Sequence, residues 1–141
     1  MKQPEQRTAS AFVLAHLSDP HLAGLDTIRW QQLLNKRLTG YLSWQRRRRH
    51  LHLPEQLALL VQDLHSQAPD HIAVTGDLTQ LGTPDECRQA LAWLRALGSP
   101  EQVSVVPGNH DTYRAEHWSG TIGLWRDYME GVDDEGGFPY Q

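Results

Sequence analysis

Three short apolar runs, each ending in a polar turn, constrain the fold of this chain more than any other feature. The runs are Phe12–Leu17, His71–Thr75 and Val103–Val106. Short apolar runs that end at Gly, Pro or Asp are typical of buried strands. The sequence therefore predicts three strands, and each strand leads directly into a loop that carries Asp, His or Asn.

Helical patterns alternate with these predicted strands. One helix is predicted to begin at Pro54, with a buried face formed by Leu57, Leu60, Val61 and Leu64. A second is predicted between a capping box at Thr83–Glu86 and a stop at Gly98, with an inner face formed by Cys87, Ala90, Leu91 and Leu94. Further amphipathic helices are predicted at Asp26–Leu38 and Trp118–Met129. The alternation predicts an α/β fold with the helices packed outside one sheet.

The composition excludes several classes of protein. A length of 141 residues predicts one domain, and a net charge of −4 disfavours a general nucleic-acid binder. Cys87 is the only cysteine, which excludes an intrachain disulfide and a cysteine-based zinc site. No run approaches the ~20 apolar residues of a transmembrane helix. We therefore expect a soluble, cytoplasmic protein without a transmembrane segment.

The polar loops after the strands contain a candidate metal site. Asp19 and His21 follow the first run, Asp77 follows the second, and Asn109–Asp111 follows the third. Because ligands bind at the carboxyl ends of strands in α/β sheets, we expect these side chains to share one site. Carboxylate oxygen and imidazole nitrogen suit Mn, Fe or Zn. We expect Asp19 and Asp77 to form a buried cluster, which would be electrostatically costly without a cation. The sequence therefore predicts a divalent metal centre, whose ion would neutralise these two charges.

The ordered set of motifs resembles the first three motifs of the calcineurin-like metallophosphoesterases. The motifs Leu17–Leu22, Val74–Thr79 and Val106–Asp111 are similar to those of the bacterial cyclic-nucleotide-phosphodiesterase-like branch. The resemblance spans about residues 12–112. It implies the N-terminal half of a four-layer α/β/β/α sandwich and a phosphoesterase that uses two divalent metal ions.

The resemblance also implies a role for each motif residue. Asp19 and His21 would hold one metal ion, Asp77 would bridge both ions, and Asn109 would bind the second. His110 would stand beside the substrate phosphate as the catalytic imidazole, and Asp111 would orient it. Hydroxide bridging two ions would then attack phosphorus in a phosphoester, with a cyclic nucleotide or another phosphodiester favoured as substrate.

Several alternatives remain open at this stage. Later family motifs, including Gly-His-x-His, are not found after Asp111, so residues 1–141 are expected to be a single, incomplete domain with an acidic, Gly-rich tail at 130–141. The chain would then be a truncated, non-catalytic fragment or a weak metal-binding or interaction module.

The basic run Arg46–Arg49 is interpreted as a solvated surface, with a substrate-contact or nucleic-acid role as the alternative, although no stable nucleic-acid partner is expected. A homo-oligomer also stays open.

Overall fold

Three parallel strands form the centre of the structure, which is a computed structural model that describes residues 11–22, 54–112 and 117–130. The strands are β1 (Leu14–Ser18), β2 (His71–Thr75) and β3 (Val103–Val106), in the order β1-β2-β3. Both pairs are parallel, with Leu17 opposite Val74 and Val74 opposite Val105. Parallel neighbours need a crossover connection, so this arrangement confirms the predicted α/β class.

Two α-helices alternate with the strands, close to the predicted bounds. They are α1 (Pro54–Ser66), which precedes β2, and α2 (Pro84–Leu97), which precedes β3. The predicted capping box is present, because the Thr83 hydroxyl accepts from the Glu86 N–H at 3.3 Å and a Glu86 oxygen accepts from the Thr83 N–H at 2.9 Å. Helix α2 ends where Gly98 N–H donates to the Leu94 carbonyl at 3.1 Å. Local capping signals therefore set both ends of α2.

The core lies between α2 and the sheet. Its most deeply buried apolar side chains are Val74, Leu78, Cys87, Ala90, Leu94, Val103 and Trp125. Trp125 also donates from Nε1 to the carbonyl of Cys87 at 2.9 Å, which joins the segment after β3 to α2. Cys87 is thus a buried apolar contact, as expected, while Leu91 on the predicted inner face is only half-buried.

The predicted amphipathic helix at Trp118–Met129 is wrong in type. The segment instead forms two 3₁₀-helices, Trp118–Gly120 and Ile122–Tyr128. Thr121 between them has a non-helical backbone, and Gly120 and Gly123 on either side have low helix propensity. The apolar pattern still identifies the inward side, because Ile122, Trp125 and Met129 are buried.

Two expectations about burial are also corrected. The first strand was expected to be buried throughout, yet Leu14 is 58% exposed and Leu17 is 8% exposed. In α1, Leu64 is buried but Leu60 is 49% exposed. Side chains alternate between the two faces of a strand, and in β1 the described residues cover only the face of Ala15 and Leu17.

Some predictions fall outside the described residues. These are the amphipathic stretch at Asp26–Leu38, the basic run Arg46–Arg49 and residues 131–141 of the acidic tail. In the described part of the chain, no helix is both long and apolar enough to cross a bilayer.

Candidate metal centre

Backbone hydrogen bonds hold together the loops that follow the three strands. His21 N–H donates to the Asp77 carbonyl at 3.0 Å, and Gly76 N–H donates to the Val106 carbonyl at 2.8 Å. The loop after β1 is therefore joined to the loop after β2, which is joined in turn to the end of β3. Side chains from all three motifs lie at the carboxyl edge of the sheet, because Asp19, His21 and Asp77 cluster there and the ring of His110 contacts that of His21.

Asp19, His21 and Asp77 form a three-ligand cluster at this edge. One ligand atom from each residue lies within 4.8 Å of the other two. His21 and Asp77 are buried, at 9% and 7% exposure, whereas Asp19 is exposed. The expectation that both carboxylates are buried is therefore corrected, because only Asp77 lacks ready access to solvent. Two carboxylates and an imidazole fit a divalent cation, which would offset the cost of keeping Asp77 ionised and buried.

The same three residues have unusual backbone conformations. Among described non-glycine residues, φ is positive at Asp19 (51°), His21 (43°), Asp77 (38°) and Ala68 (45°). Left-handed conformations of non-glycine residues cost on the order of 1–3 kcal/mol each and concentrate at functional sites. Three of the four strained positions belong to the cluster, so the fold maintains this strain where the ligand atoms converge.

Backbone carbonyls orient the two histidines of the site. Nδ1 of His21 lies 3.1 Å from the carbonyl oxygen of Thr79, and Nδ1 of His110 lies 2.6 Å from that of Gln80. A carbonyl can only accept, so Nδ1 donates in both rings and Nε2 carries the lone pair of the neutral imidazole. The rings stand edge to face with centroids 5.3 Å apart, which places His110 beside the three-ligand cluster.

Asp111 connects the loop after β3 to the loop after β2. Its buried carboxylate accepts from Leu78 N–H at 3.2 Å, from Thr79 N–H at 2.8 Å and from Gly108 N–H at 2.8 Å. The Thr79 hydroxyl donates to it as well, at 2.9 Å. The group that the structure places on Nδ1 of His110 is thus the Gln80 carbonyl, while Asp111 fixes the backbone on both sides of the site.

A comparison with known protein families identifies the family of this chain. The family description of the calcineurin-like phosphoesterases matches residues 12–139. The chain belongs to the calcineurin-like phosphoesterase family. No match is found among curated individual proteins.

Membership in this family indicates, in general terms, which reaction the site supports. Calcineurin-like phosphoesterases are hydrolases, and the family together with the three-ligand cluster supports the use of a divalent metal ion. The parallel sheet with alternating helices is consistent with part of the fold of this family of phosphoesterases.

Asn109 lies in the loop after β3, next to His110, and its side chain is exposed. Its role as a metal ligand stays a prediction. The two other histidines near the sheet bond elsewhere, since His16 Nε2 pairs with Thr75 Oγ1 at 2.7 Å and His71 Nε2 pairs with Ser104 Oγ at 2.9 Å.

The sequence did not reveal which groups would support the histidines. Thr79 and Gln80 act through backbone carbonyls, which leave no trace in residue type. Glu86 was identified from its capping-box spacing, but that spacing did not indicate its further bonds to the loop after β2. Such contacts follow only from the folded path of the loop.

Proposed function

We propose that this chain is a metal-dependent phosphoesterase whose first metal ion is held by Asp19, His21 and Asp77. The convergence of three ligand atoms within 4.8 Å at the carboxyl edge of the sheet carries the proposal. Asp19 and His21 come from the loop after β1 and Asp77 comes from the loop after β2, and backbone bonds fix these two loops to each other.

A second divalent ion would share Asp77 with the first and would also be held by Asn109. Asp77 suits a bridging position because it belongs to the cluster and its Oδ1 also accepts from the His110 N–H at 2.8 Å, beside Asn109. Divalent ions at such a site neutralise phosphoryl charge and lower the pKa of a coordinated water. Mn, Fe and Zn all fit the oxygen and nitrogen donors.

His110 is proposed to act on the substrate phosphate. Its Nδ1 donates to the Gln80 carbonyl, so Nε2 is the nitrogen proposed to hold or release a proton at the substrate. In the cationic ring, Nε2–H can donate to a phosphoryl oxygen or protonate the leaving oxygen. Asp111 contributes by holding the backbone of Leu78, Thr79 and Gly108, which keeps the loop of His110 against the loop of Asp77.

A phosphodiester is the proposed substrate class, with cyclic nucleotides or other small diesters favoured. The motif strings Leu17–Leu22, Val74–Thr79 and Val106–Asp111 support this choice, because they resemble the cyclic-nucleotide-phosphodiesterase-like branch. A cytoplasmic location is proposed because the sequence contains one cysteine, Cys87, and therefore no intrachain disulfide.

The test is hydrolysis of bis-p-nitrophenyl phosphate, a diester, and p-nitrophenyl phosphate, a monoester, by the 141-residue chain. We expect Mn²⁺-dependent turnover that favours the diester and is abolished by EDTA. Asp77→Ala should lower the rate by about 100-fold or more, because even outer-shell changes at metal sites cost about 10–100-fold. Turnover that survives both EDTA and Asp77→Ala would refute the proposal.

A second candidate function is a metal-binding domain without turnover. It is favoured by the fact that, among His, Cys, Asp and Glu of the described residues, one three-ligand cluster is found rather than two. Binding of Mn²⁺ without hydrolysis of either ester would support this candidate over the first.

A further inference from the structure

Glu86 makes more contacts than a helix cap requires. Its carboxylate is buried, and Oε2 accepts from the Thr83 N–H at 2.9 Å and from the Thr83 hydroxyl at 2.8 Å. Oε1 accepts from the Gln80 N–H at 2.9 Å and from the Leu81 N–H at 3.2 Å. A capping box uses one bond from this side chain to the N-cap N–H. The two bonds of Oε1 therefore serve the loop that precedes the helix.

Those two bonds lie on the same peptide units that hold the histidines. The unit between Thr79 and Gln80 places its N–H on Glu86 and its carbonyl on Nδ1 of His21. The unit between Gln80 and Leu81 places its N–H on Glu86 and its carbonyl on Nδ1 of His110. A trans peptide is planar, and its N–H and C=O point in opposite directions. Fixing each N–H on Glu86 therefore fixes the direction of each carbonyl.

We propose that Glu86 is a positioning residue for both histidines of the metal centre, acting through these two peptide units. The proposal rests on the proposed function for the roles of His21 and His110. The bonds of Glu86 keep both imidazoles in the tautomer with hydrogen on Nδ1. In that tautomer the lone pair lies on Nε2 of each ring, and Nε2 of His21 would be the atom that binds a metal ion.

The charge of Glu86 adds to this geometric effect. A carboxylate that accepts from a peptide N–H polarises the unit and makes its carbonyl a stronger acceptor. A stronger acceptor on Nδ1 makes Nε2 a better ligand, as carboxylate partners do directly in metal sites. Here one carboxylate reaches two imidazoles, each through one peptide.

Glu86→Gln and Asp85→Asn form a matched pair of variants. Each removes one negative charge from the first turn of α2. The amide of Glu86→Gln has one acceptor atom in place of two, so the loop N–H groups or the Thr83 groups lose their partner. Asp85 is half-exposed and forms an ion pair with Arg88 on the surface, so we expect Asp85→Asn to keep the bonds of Glu86 to the loop.

The experiment measures imidazole ¹⁵N chemical shifts of the full chain at about pH 8, above the usual histidine pKa of ~6.5. Wild type and Asp85→Asn should show hydrogen on Nδ1 at His21 and His110. Glu86→Gln, with folding checked by circular dichroism, should show a mixture of tautomers at both residues. In a Mn²⁺ titration, Glu86→Gln should weaken binding by about 10-fold, and Asp85→Asn should leave it unchanged.

The two readouts separate this inference from the proposed function. Wild-type protein that fails to bind Mn²⁺ would refute the metal site, while the tautomers would still decide the role of Glu86. Wild-type tautomers at His21 and His110 in both folded Glu86→Gln and folded Glu86→Asp would overturn the inference. If Glu86→Gln does not fold, Glu86→Asp replaces it, because the shorter side chain keeps the charge but cannot reach Gln80 and Leu81. Unfolding of both variants would assign Glu86 to global stability and also overturn the inference.

Discussion

The backbone N–H of His110 donates to Oδ1 of Asp77 at 2.8 Å. This bond joins the carboxylate proposed to bridge two metal ions to the loop that carries the proposed catalytic imidazole. A shift of either loop therefore displaces both groups. The close approach of the loops depends on Gly108, because a Cβ atom at that position would overlap the Oδ1 and backbone nitrogen of Asp77.

Gly108→Ala should therefore damage the site and the fold together. The added methyl group must push the loop after β3 away from Asp77, which breaks the His110–Asp77 bond. We expect the free energy of unfolding to fall by about 1–3 kcal/mol and Mn²⁺ affinity to fall by at least ~10-fold. Urea unfolding and a Mn²⁺ titration measure the two effects. Gly120→Ala is the matched control, because no neighbouring atom lies within 4 Å of the place its methyl group would occupy, and an equal loss in both variants would contradict the argument.

Asp77→Asn should separate metal binding from folding. The amide keeps an acceptor for the His110 N–H but removes a buried charge that lies close to Asp19. We expect the metal-free variant to be at least as stable as wild type. Mn²⁺ should raise the Tm of wild type, since a ligand that binds only the folded state stabilises it, and should leave the Tm of Asp77→Asn unchanged.

Differential scanning calorimetry with Mn²⁺ and with EDTA provides this measurement. Asp63→Asn, an exposed position on α1, is the control and should retain the full Mn²⁺ response. An Asp77→Asn variant that Mn²⁺ stabilises as much as wild type would count against the assigned ligands.

Trp125→Phe should weaken the packing of the second 3₁₀-helix on α2. The substitution removes the hydrogen bond from Nε1 to the Cys87 carbonyl and leaves space in the fully buried core. We expect a loss of about 2–3 kcal/mol in the free energy of unfolding, measured by urea denaturation with circular dichroism. Trp118→Phe, at a position that is 44% exposed, should cost within about 0.5 kcal/mol, and equal costs would argue against the packing.

Ionisation of Tyr128 should lower the free energy of unfolding at alkaline pH. Burial raises the pKa of its phenol, with Arg95 opposing and Asp127 and Glu101 reinforcing the shift. Because the folded pKa lies above the unfolded value of about 10, the contribution is complete below about pH 10 and is lost as the pH rises through the folded pKa. The hydroxyl also donates to the Gly98 carbonyl at 3.2 Å.

Tyr128→Phe should therefore cost about 1 kcal/mol at neutral pH and should reduce the decline above pH ~10. Urea unfolding at a series of pH values compares the two proteins. A wild-type alkaline decline that persists in full in Tyr128→Phe would show that other groups cause it.

Local signals explain the parts of this structure that the sequence predicts. The ends of helix α2 are predicted closely, because each end is set by residues beside it: Thr83 and Glu86 at the start, and Gly98 at the end. The cluster of Asp19, His21 and Asp77 is predicted because parallel strands bring the loops after them to one edge. Both inferences need only short segments and one rule of topology.

The features that the sequence does not predict depend on contacts between segments that are distant in the chain. The exposure of Leu14 reflects a face of β1 that the described residues do not cover, and the 3₁₀ form of Ile122–Tyr128 accompanies the irregular backbone at Thr121. The carbonyls on His21 and His110 come from a loop whose path is fixed by Glu86 and Asp111. Residue types alone carry no record of such contacts.

The most direct test of the central claim is X-ray diffraction from crystals of the full chain grown with Mn²⁺, recorded at the manganese absorption edge. If these three residues hold the ion, an anomalous peak should lie at about 2.0–2.3 Å from a carboxylate oxygen of Asp19, Nε2 of His21 and a carboxylate oxygen of Asp77. A second peak ~3.5–4 Å away, near Asn109, would establish the dinuclear site. Ordered side chains of all three residues without a peak between them would contradict the account.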